Sequence, residues 1–268
     1  MATYCISDIH GYYEEFMALL EKIKFNHKQD TLYILGDAID RGKRPMDCLL
    51  YIMKAYGIRY IRGNHDQMML DYYMGKLSER ALDDWDYNGG KSTMAQIANI
   101  SADALSSLLH WLNECPVYET ISINGRNYFL SHAGLNVSKP FQNQTIAALT
   151  WSREEFYKRP ALLDYTVIFG HTPVFYINKT ISNCSIWIDD RYSDKICIDC
   201  GCVYGGALAA LRLDDGKVFY EPWKTASEWT EILEKKRKQK GKELSYDVNM
   251  VPEDFYNMDK RRKLRRID

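Results

Sequence analysis

No apolar run in this sequence approaches the roughly 18 residues that would suggest a membrane-spanning helix. No basic-then-apolar leader opens it either, because Met1-Ala2-Thr3 runs straight into a strand-like segment. The seven cysteines are odd in number and mostly scattered, unlike the even framework of a small secreted fold. Excess charge is missing too: 35 basic and 36 acidic residues give a net −1, which does not indicate a globally basic nucleic-acid binder. These absences lead to the expectation of a soluble, cytoplasmic protein without a membrane span.

Apolar residues make up 46% of the 268, enough to bury a substantial core, and 26% are charged, an ordinary balance for a globular α/β domain. The near-zero net charge conceals an asymmetry, since residues 235–268 carry about +6 and residues 1–234 about −7. One folded domain is expected over 1–224, with a helical insertion at 67–113, followed by a basic helix or tail over 225–268. Trp229, Ile232 and Leu233 would dock the helix. Its charge runs are read as solvated, with an acidic partner, RNA or a membrane surface as the alternative.

Strand, polar loop and helix recur three times in about the first 70 residues, the pattern of a βαβ-type sheet. The strand Thr3 to Ser7 ends in Asp8-Ile9-His10-Gly11, and alternation in extended backbone sends Asp8 and His10 to one side. Phe16, Leu19, Leu20 and Ile23 mark an amphipathic helix within Tyr12 to Phe25. Thr31 to Leu35 ends in Gly36-Asp37-Ala38-Ile39-Asp40-Arg41-Gly42. Two carboxylates and an arginine just past a buried strand suit a cation and an anionic substrate better than a core. A helix over Met46 to Tyr56, with Pro45 before it and Gly57 after it, leads to the strand Ile58 to Ile61 and to Arg62-Gly63-Asn64-His65-Asp66.

Within the insertion, Met68, Met69, Leu70, Tyr72, Tyr73 and Met74 read as packing and Trp85 to Gly90 as a loop. Leu105, Leu108, Leu109 and Leu112 form a helical stripe on which His110 has no assigned role. Asn124-Gly125 predicts a type I′ hairpin whose second strand ends at Ser131-His132-Ala133-Gly134. After a weakly helical Gln144 to Trp151, the strand Thr166 to Phe169 ends at Gly170-His171-Thr172-Pro173. Further β-structure is expected at 185–188, 195–199, 207–213 and 218–221. Cys184, Cys197, Cys200 and Cys202 are spaced as a structural zinc could require, but Cys197 and Cys200 lie on a strand running into a loop, and no third metal is expected.

Four of the six histidines, His10, His65, His132 and His171, directly follow apolar strand-like runs. If those strands share a sheet, the imidazoles meet Asp8, Asp37, Asp40 and Asn64 at one edge. Oxygen and nitrogen donors without thiolate suit manganese, iron or zinc, and they suffice for two bridged ions.

Asp8-x-His10, Gly36-Asp37-x-x-Asp40-Arg41-Gly42, Gly63-Asn64-His65-Asp66, His132-Ala133-Gly134 and Gly170-His171-Thr172 resemble, in order, the motifs of the calcineurin-like metallophosphoesterases. The likeness is greatest to the bacterial and phage serine/threonine phosphatases and spans about residues 3–213; Trp151-Ser152-Arg153 adds to it. It implies a four-layer αββα sandwich of the α/β (α+β) class and two divalent ions, manganese foremost. Asp8, His10 and Asp37 would hold the first ion, and Asp37, Asn64, His132 and His171 the second. A metal-bridging hydroxide would attack phosphorus, His65 held by Asp40 would protonate the leaving group, and Arg41 and Arg153 would clamp phosphate oxygens. Asp66 stands where the family more usually has glutamate. The implied substrate is a phosphoprotein bearing phosphoserine or phosphothreonine, or a phosphorylated small molecule. The alternative is a dinucleoside tetraphosphate, because Gly201-Cys202-Val203-Tyr204-Gly205-Gly206 resembles that relative.

Overall fold

The computed structural model describes residues 1–76, 78–161, 164–179, 184–225, 228 and 231. Residues Met1–Lys224 form one compact unit and Thr225–Asp268 a second. The expected C-terminal helix, with Trp229, Ile232 and Leu233, lies outside the described residues.

Along β1 (Thr3–Ile6) and β2 (Thr31–Leu35), successive side chains leave on opposite faces, and both faces are apolar. Tyr4, Ile6, Leu32 and Ile34 enter one core, whereas Cys5, Tyr33 and Leu35 enter another. The same division runs through β5 (Arg126–Ser131) and β6 (Thr166–Phe169): Phe129, Val167 and Phe169 face outward into a third core, and Leu130 and Ile168 face the middle one. Strands buried on both faces need cover on both faces. The middle core lies between two sheets, and each outer core lies between a sheet and helices.

The first sheet has the order β10-β9-β1-β2-β3, with β3 at Ile58–Ile61, β9 at Ala207–Arg212 and β10 at Val218–Pro222. Here β1, β2 and β3 run parallel, with Thr3 opposite Thr31 and Leu32 opposite Ile58. The second has the order β4-β5-β6-β8-β7, with β4 at Tyr118–Ile123, β7 at Trp187–Ile188 and β8 at Lys195–Cys197. In it β5 and β6 run parallel. This is the mixed α/β, αββα sandwich that the motifs implied. Parallel pairing matters for function because it brings the carboxyl ends of neighbouring strands to one edge.

Helix α1 (Tyr13–Lys22) opens with Glu14 and Glu15 and closes on Lys22, matching its dipole, and buries Phe16, Leu19 and Leu20. Helix α2 (Pro45–Lys54) starts on Pro45, which lacks the N–H that a first turn leaves unpaired. The insertion contains α3 (Asn64–Leu70), a π-helical stretch Asp71–Lys76, α4 (Glu79–Tyr87), α5 (Lys91–Ile97) and α6 (Ala102–Glu114). Ser78 and Ser101 accept from Ala81 N and Ala104 N and so fix the starts of α4 and α6. Leu108, Leu109 and Leu112 are buried as the stripe predicted, His110 is exposed, and Asn124 and Gly125 both take the positive φ of a type I′ turn.

Two expectations fail. Trp85 belongs to α4, because the breakers Asn88-Gly89-Gly90 act only after Tyr87. Met74 is exposed and takes no part in packing. The expected strands at 185–188 and 195–199 also shorten to β7 and β8.

On β8, Lys195 is fully buried. Its Nζ lies 2.7 Å from Asp189 Oδ2, against Asp194, and donates to Arg159 O at 2.8 Å. Removing one partner of such a pair leaves an uncompensated buried charge. Lys195→Met, which keeps the volume, is therefore expected to lower unfolding free energy by about 3–5 kcal/mol in urea titration. A loss under about 1 kcal/mol would show that water replaces the ammonium there.

Candidate active site

Asp8 and His10 follow β1, Asp37 to Arg41 follow β2, Asn64 and His65 open α3 after β3, His132 follows β5 and His171 follows β6. The loops turn sharply: Asp8, His10, Asp37, Asp40, Arg41 and His171 all have φ between 47° and 69°, a region that side-chain-bearing residues enter at a cost. Extensive hydrogen bonding holds them there. His10 N donates to Asp37 O at 2.8 Å, Gly42 N to His10 O at 2.8 Å, and His171 N to Asp8 Oδ2 at 3.0 Å.

Asp37 is the centre. His132 Nε2, His10 Nε2 and His65 Nε2 lie 3.3, 3.7 and 3.8 Å from its Oδ2, and its Oδ1 accepts from His65 N at 3.0 Å. Asp8 Oδ1 is 3.9 Å from His10 Nε2. Asn64 Oδ1 and His171 Nδ1 stand 2.9 and 3.2 Å from His132 Nε2. All six residues expected as metal ligands are thus together and buried. Among the described residues, the three-residue sets able to share an ion are His10, Asp37 and His65, and Asp37, His132 and His171; the first includes His65, a residue not expected as a ligand, and not Asp8.

The donor chemistry fits cations. His10 Nδ1, His65 Nδ1 and His132 Nδ1 each face an oxygen, at Ile39 O (2.9 Å), Asp40 Oδ2 (2.6 Å) and Leu35 O (2.7 Å). An oxygen acceptor there fixes a proton on Nδ1, so Nε2, the ring atom left to take a cation once it is unprotonated, is turned toward the site around Asp37. Asp37 Oδ2, Asn64 Oδ1 and His171 Nδ1 surround His132 Nε2, and the buried His171 Nε2 has no partner among the described residues.

The titration of the groups reports the same crowding. Burial pushes the His10 and His171 rings well below their usual range, and neighbouring Arg41 and His132, respectively, push them further. Burial opposes charge on His132 as well, but Asp37 and Asp8 overcome it and raise its pKa to about 9. Burial would raise Asp37, yet His132 and His65 hold it well below its ordinary value.

The neighbouring groups are equally committed. Arg41 Nη1 and Nη2 donate to His10 Nε2 and His65 Nε2, both at 2.8 Å. Asp66 accepts from Gly63 N at 2.7 Å, Asp37 N at 3.2 Å and Tyr60 OH at 2.8 Å, locking two loops to each other. The exposed Arg153 reaches Thr172 Oγ1 at 3.3 Å and His171 O at 3.5 Å. Sequence reasoning missed Trp85 and Thr93, which both donate to Asp40, at 2.8 and 2.5 Å. No local pattern marks either residue.

A family model, calcineurin-like phosphoesterase, matches residues 1–208. A symmetrical bis(5'-nucleosyl)-tetraphosphatase of Mannheimia succiniciproducens is 32% identical over 139 residues, which are 51% of this chain and 45% of that protein. The chain thus spans under half the length of that relative. An asymmetrical bis(5'-nucleosyl)-tetraphosphatase of Bacillus velezensis is 26% identical over 247 residues, covering 80% of this chain and 90% of the relative. Among solved structures, a candidate diadenosine tetraphosphatase superposes with a TM-score of 0.60 at 22% identity, over 84% of this chain and 95% of its own, a likeness of fold. Among the described residues, no helix is long and apolar enough to cross a membrane.

Two measurements check this geometry. A Cβ on Gly170 would lie 2.2 Å from Asp8 Oδ2 and 2.4 Å from Ser7 Oγ, so Gly170→Ala is expected to displace Asp8 and weaken manganese binding at least tenfold in calorimetry, with far-UV dichroism unchanged. Because His132 holds its proton at pH 7, a cation must displace that proton. Metal binding at pH 7 should therefore release a proton, visible as a buffer-dependent binding enthalpy. His132→Asn should remove that dependence.

Proposed function

Because this chain belongs to the calcineurin-like phosphoesterase family and is a metal-dependent phosphoesterase, we propose that it hydrolyses a nucleoside polyphosphate of the dinucleoside tetraphosphate class. The carrying observation is the convergence of three Nε2 atoms on the buried Asp37 carboxylate, with the Arg41 guanidinium 2.8 Å from two of those rings. The nucleotide class is supported by relatives named as tetraphosphatases, one of them matched over 90% of its length. It is further supported by Trp151, which is 41% exposed and presents a ring 5.8 Å from that of His171, a free face on which a base can stack. Dephosphorylation of phosphoserine or phosphothreonine, the reading implied first by the motif resemblance, takes second place.

Asp8, His10 and Asp37 would hold one divalent cation, and Asp37, Asn64, His132 and His171 the other, with manganese the proposed metal. When bound, such a pair neutralises phosphate charge and makes water nucleophilic near neutral pH. The chain supplies the rest. Arg41 and Arg153 turn toward the equatorial phosphate oxygens, where a planar guanidinium pairs two oxygens at once. As the oxygen of water bonds to phosphorus, the bond to the leaving oxygen breaks. That oxygen takes its proton from His65 Nε2, and the proton of the attacking water passes to solvent. Asp40, 2.6 Å from His65 Nδ1, orients the ring.

The test is turnover of diadenosine tetraphosphate beside a phosphoserine peptide, with manganese, by wild type and His65→Asn. We expect preference for the dinucleotide and, in the variant with its metals retained, a loss of roughly 10²–10⁴-fold on the peptide, whose alkoxide must leave protonated, and a smaller loss on the dinucleotide, whose phosphate leaving group needs little protonation. Trp151→Ala should raise KM for the dinucleotide roughly 5- to 150-fold while leaving tripolyphosphate unaffected. Preferred cleavage of the peptide would overturn the nucleotide class and leave the site assignments standing.

A further inference from the structure

Asp40 is fully buried, and each of its oxygens is occupied. Oδ2 faces His65 Nδ1 at 2.6 Å and accepts from Trp85 Nε1 at 2.8 Å; Oδ1 accepts from Thr93 Oγ1 at 2.5 Å. The Thr93 oxygen also accepts from Asp40 N at 2.9 Å, so one hydroxyl fixes both the backbone and the carboxylate of the same residue. Trp85 is itself fully buried, its ring 5.8 and 6.0 Å from those of Tyr72 and Tyr73, which holds its N–H in place. Between these two donors, the backbone of the same segment grips Arg41: Asn88 O accepts from Nε at 3.4 Å and Gly89 O from Arg41 N at 3.1 Å.

We infer that the segment from Trp85 to Thr93 is a positioning element that sets two side chains of the reaction, His65 through Asp40 and Arg41 through the Asn88–Gly89 backbone. This rests on the role proposed above for His65 as proton donor. A carboxylate that accepts from an indole N–H and a hydroxyl cannot rotate. It therefore keeps the His65 Nδ1 proton on its own side and leaves Nε2 directed at the leaving oxygen. Removing the indole N–H takes one of two hydrogen bonds from Asp40 Oδ2, the oxygen that faces His65 Nδ1, without touching any group that meets substrate. Carbonyl oxygens hold Arg41 on this side, so a change there alters the clamp and its 2.8 Å contact with His65 Nε2 and leaves the Asp40–His65 Nδ1 pair in place.

Leaving-group dependence separates the two arms. Trp85→Phe keeps a buried ring and deletes the N–H; Thr93→Val deletes the hydroxyl at constant shape and stands in if the larger change unfolds the protein. Each is compared with wild type and His65→Asn, with manganese, on p-nitrophenyl phosphate and phenyl phosphate, together with the ¹⁵N shift of His65 Nδ1. The expected result is a loss of about tenfold in kcat on phenyl phosphate, part of the roughly 10²–10⁴-fold that a general acid provides. On p-nitrophenyl phosphate, whose leaving group needs little protonation, the loss should be under about twofold, with KM unchanged and the ¹⁵N resonance shifted. Gly89 has φ +102°, and a Cβ there would lie 2.9 Å from Arg41 Cγ. Gly89→Ala is accordingly expected to raise KM equally on both esters and to leave the His65 resonance in place. Equal kcat losses on both esters, or an unmoved resonance in Trp85→Phe and Thr93→Val, would overturn the inference. Full activity of His65→Asn on phenyl phosphate would instead remove the acid role of His65, and this inference with it.

Discussion

The carboxylate of Asp37 is buried, and a buried anion is tolerated only where donors or cations surround it. No single loop can supply that surrounding. His10 arrives from the end of β1, His65 from the turn after β3 and His132 from the end of the opposite sheet, at 3.3–3.8 Å from one oxygen. The parallel pairing of β1, β2 and β3, and of β5 and β6, is what lets so many strand ends meet. The left-handed backbone at Asp8, His10, Asp37, Asp40, Arg41 and His171 is the cost of reversing several chains within that small volume.

Much of this was legible in the sequence because each ligand sits beside its own signal. An apolar strand followed at once by Asp, Asn or His is a local pattern, and five such patterns in order mark one edge of the sandwich. The division of cores along β2, with Tyr33 and Leu35 against Leu32 and Ile34, emerged only in the structure. What resisted reading was long in sequence and short in space. Trp85 and Thr93 meet Asp40 across 45 and 53 residues, and each looks locally like an ordinary helix residue. Cysteine spacing was uninformative for a related reason: Cys197 and Cys200 belong to one outer core and Cys202 to the other, although few residues separate them.

On the roles proposed above, the fold divides its labour. Strand-end loops would assemble the cation-binding atoms, whereas the insertion between β3 and β4 would position His65 and Arg41, and substrate choice is sought there and at the rim around Trp151. A relative that keeps the loops and alters the insertion can retain the chemistry while changing what it cleaves.

One feature of the sandwich carries beyond chemistry. His132 Nδ1, from the second sheet, donates to Leu35 O at the end of the first, and His171 N donates to Asp8 Oδ2 in the same direction. The reactive edge is thus also a seam that stitches the two halves together. A substitution made here to tune reactivity loosens a mechanical joint at the same stroke.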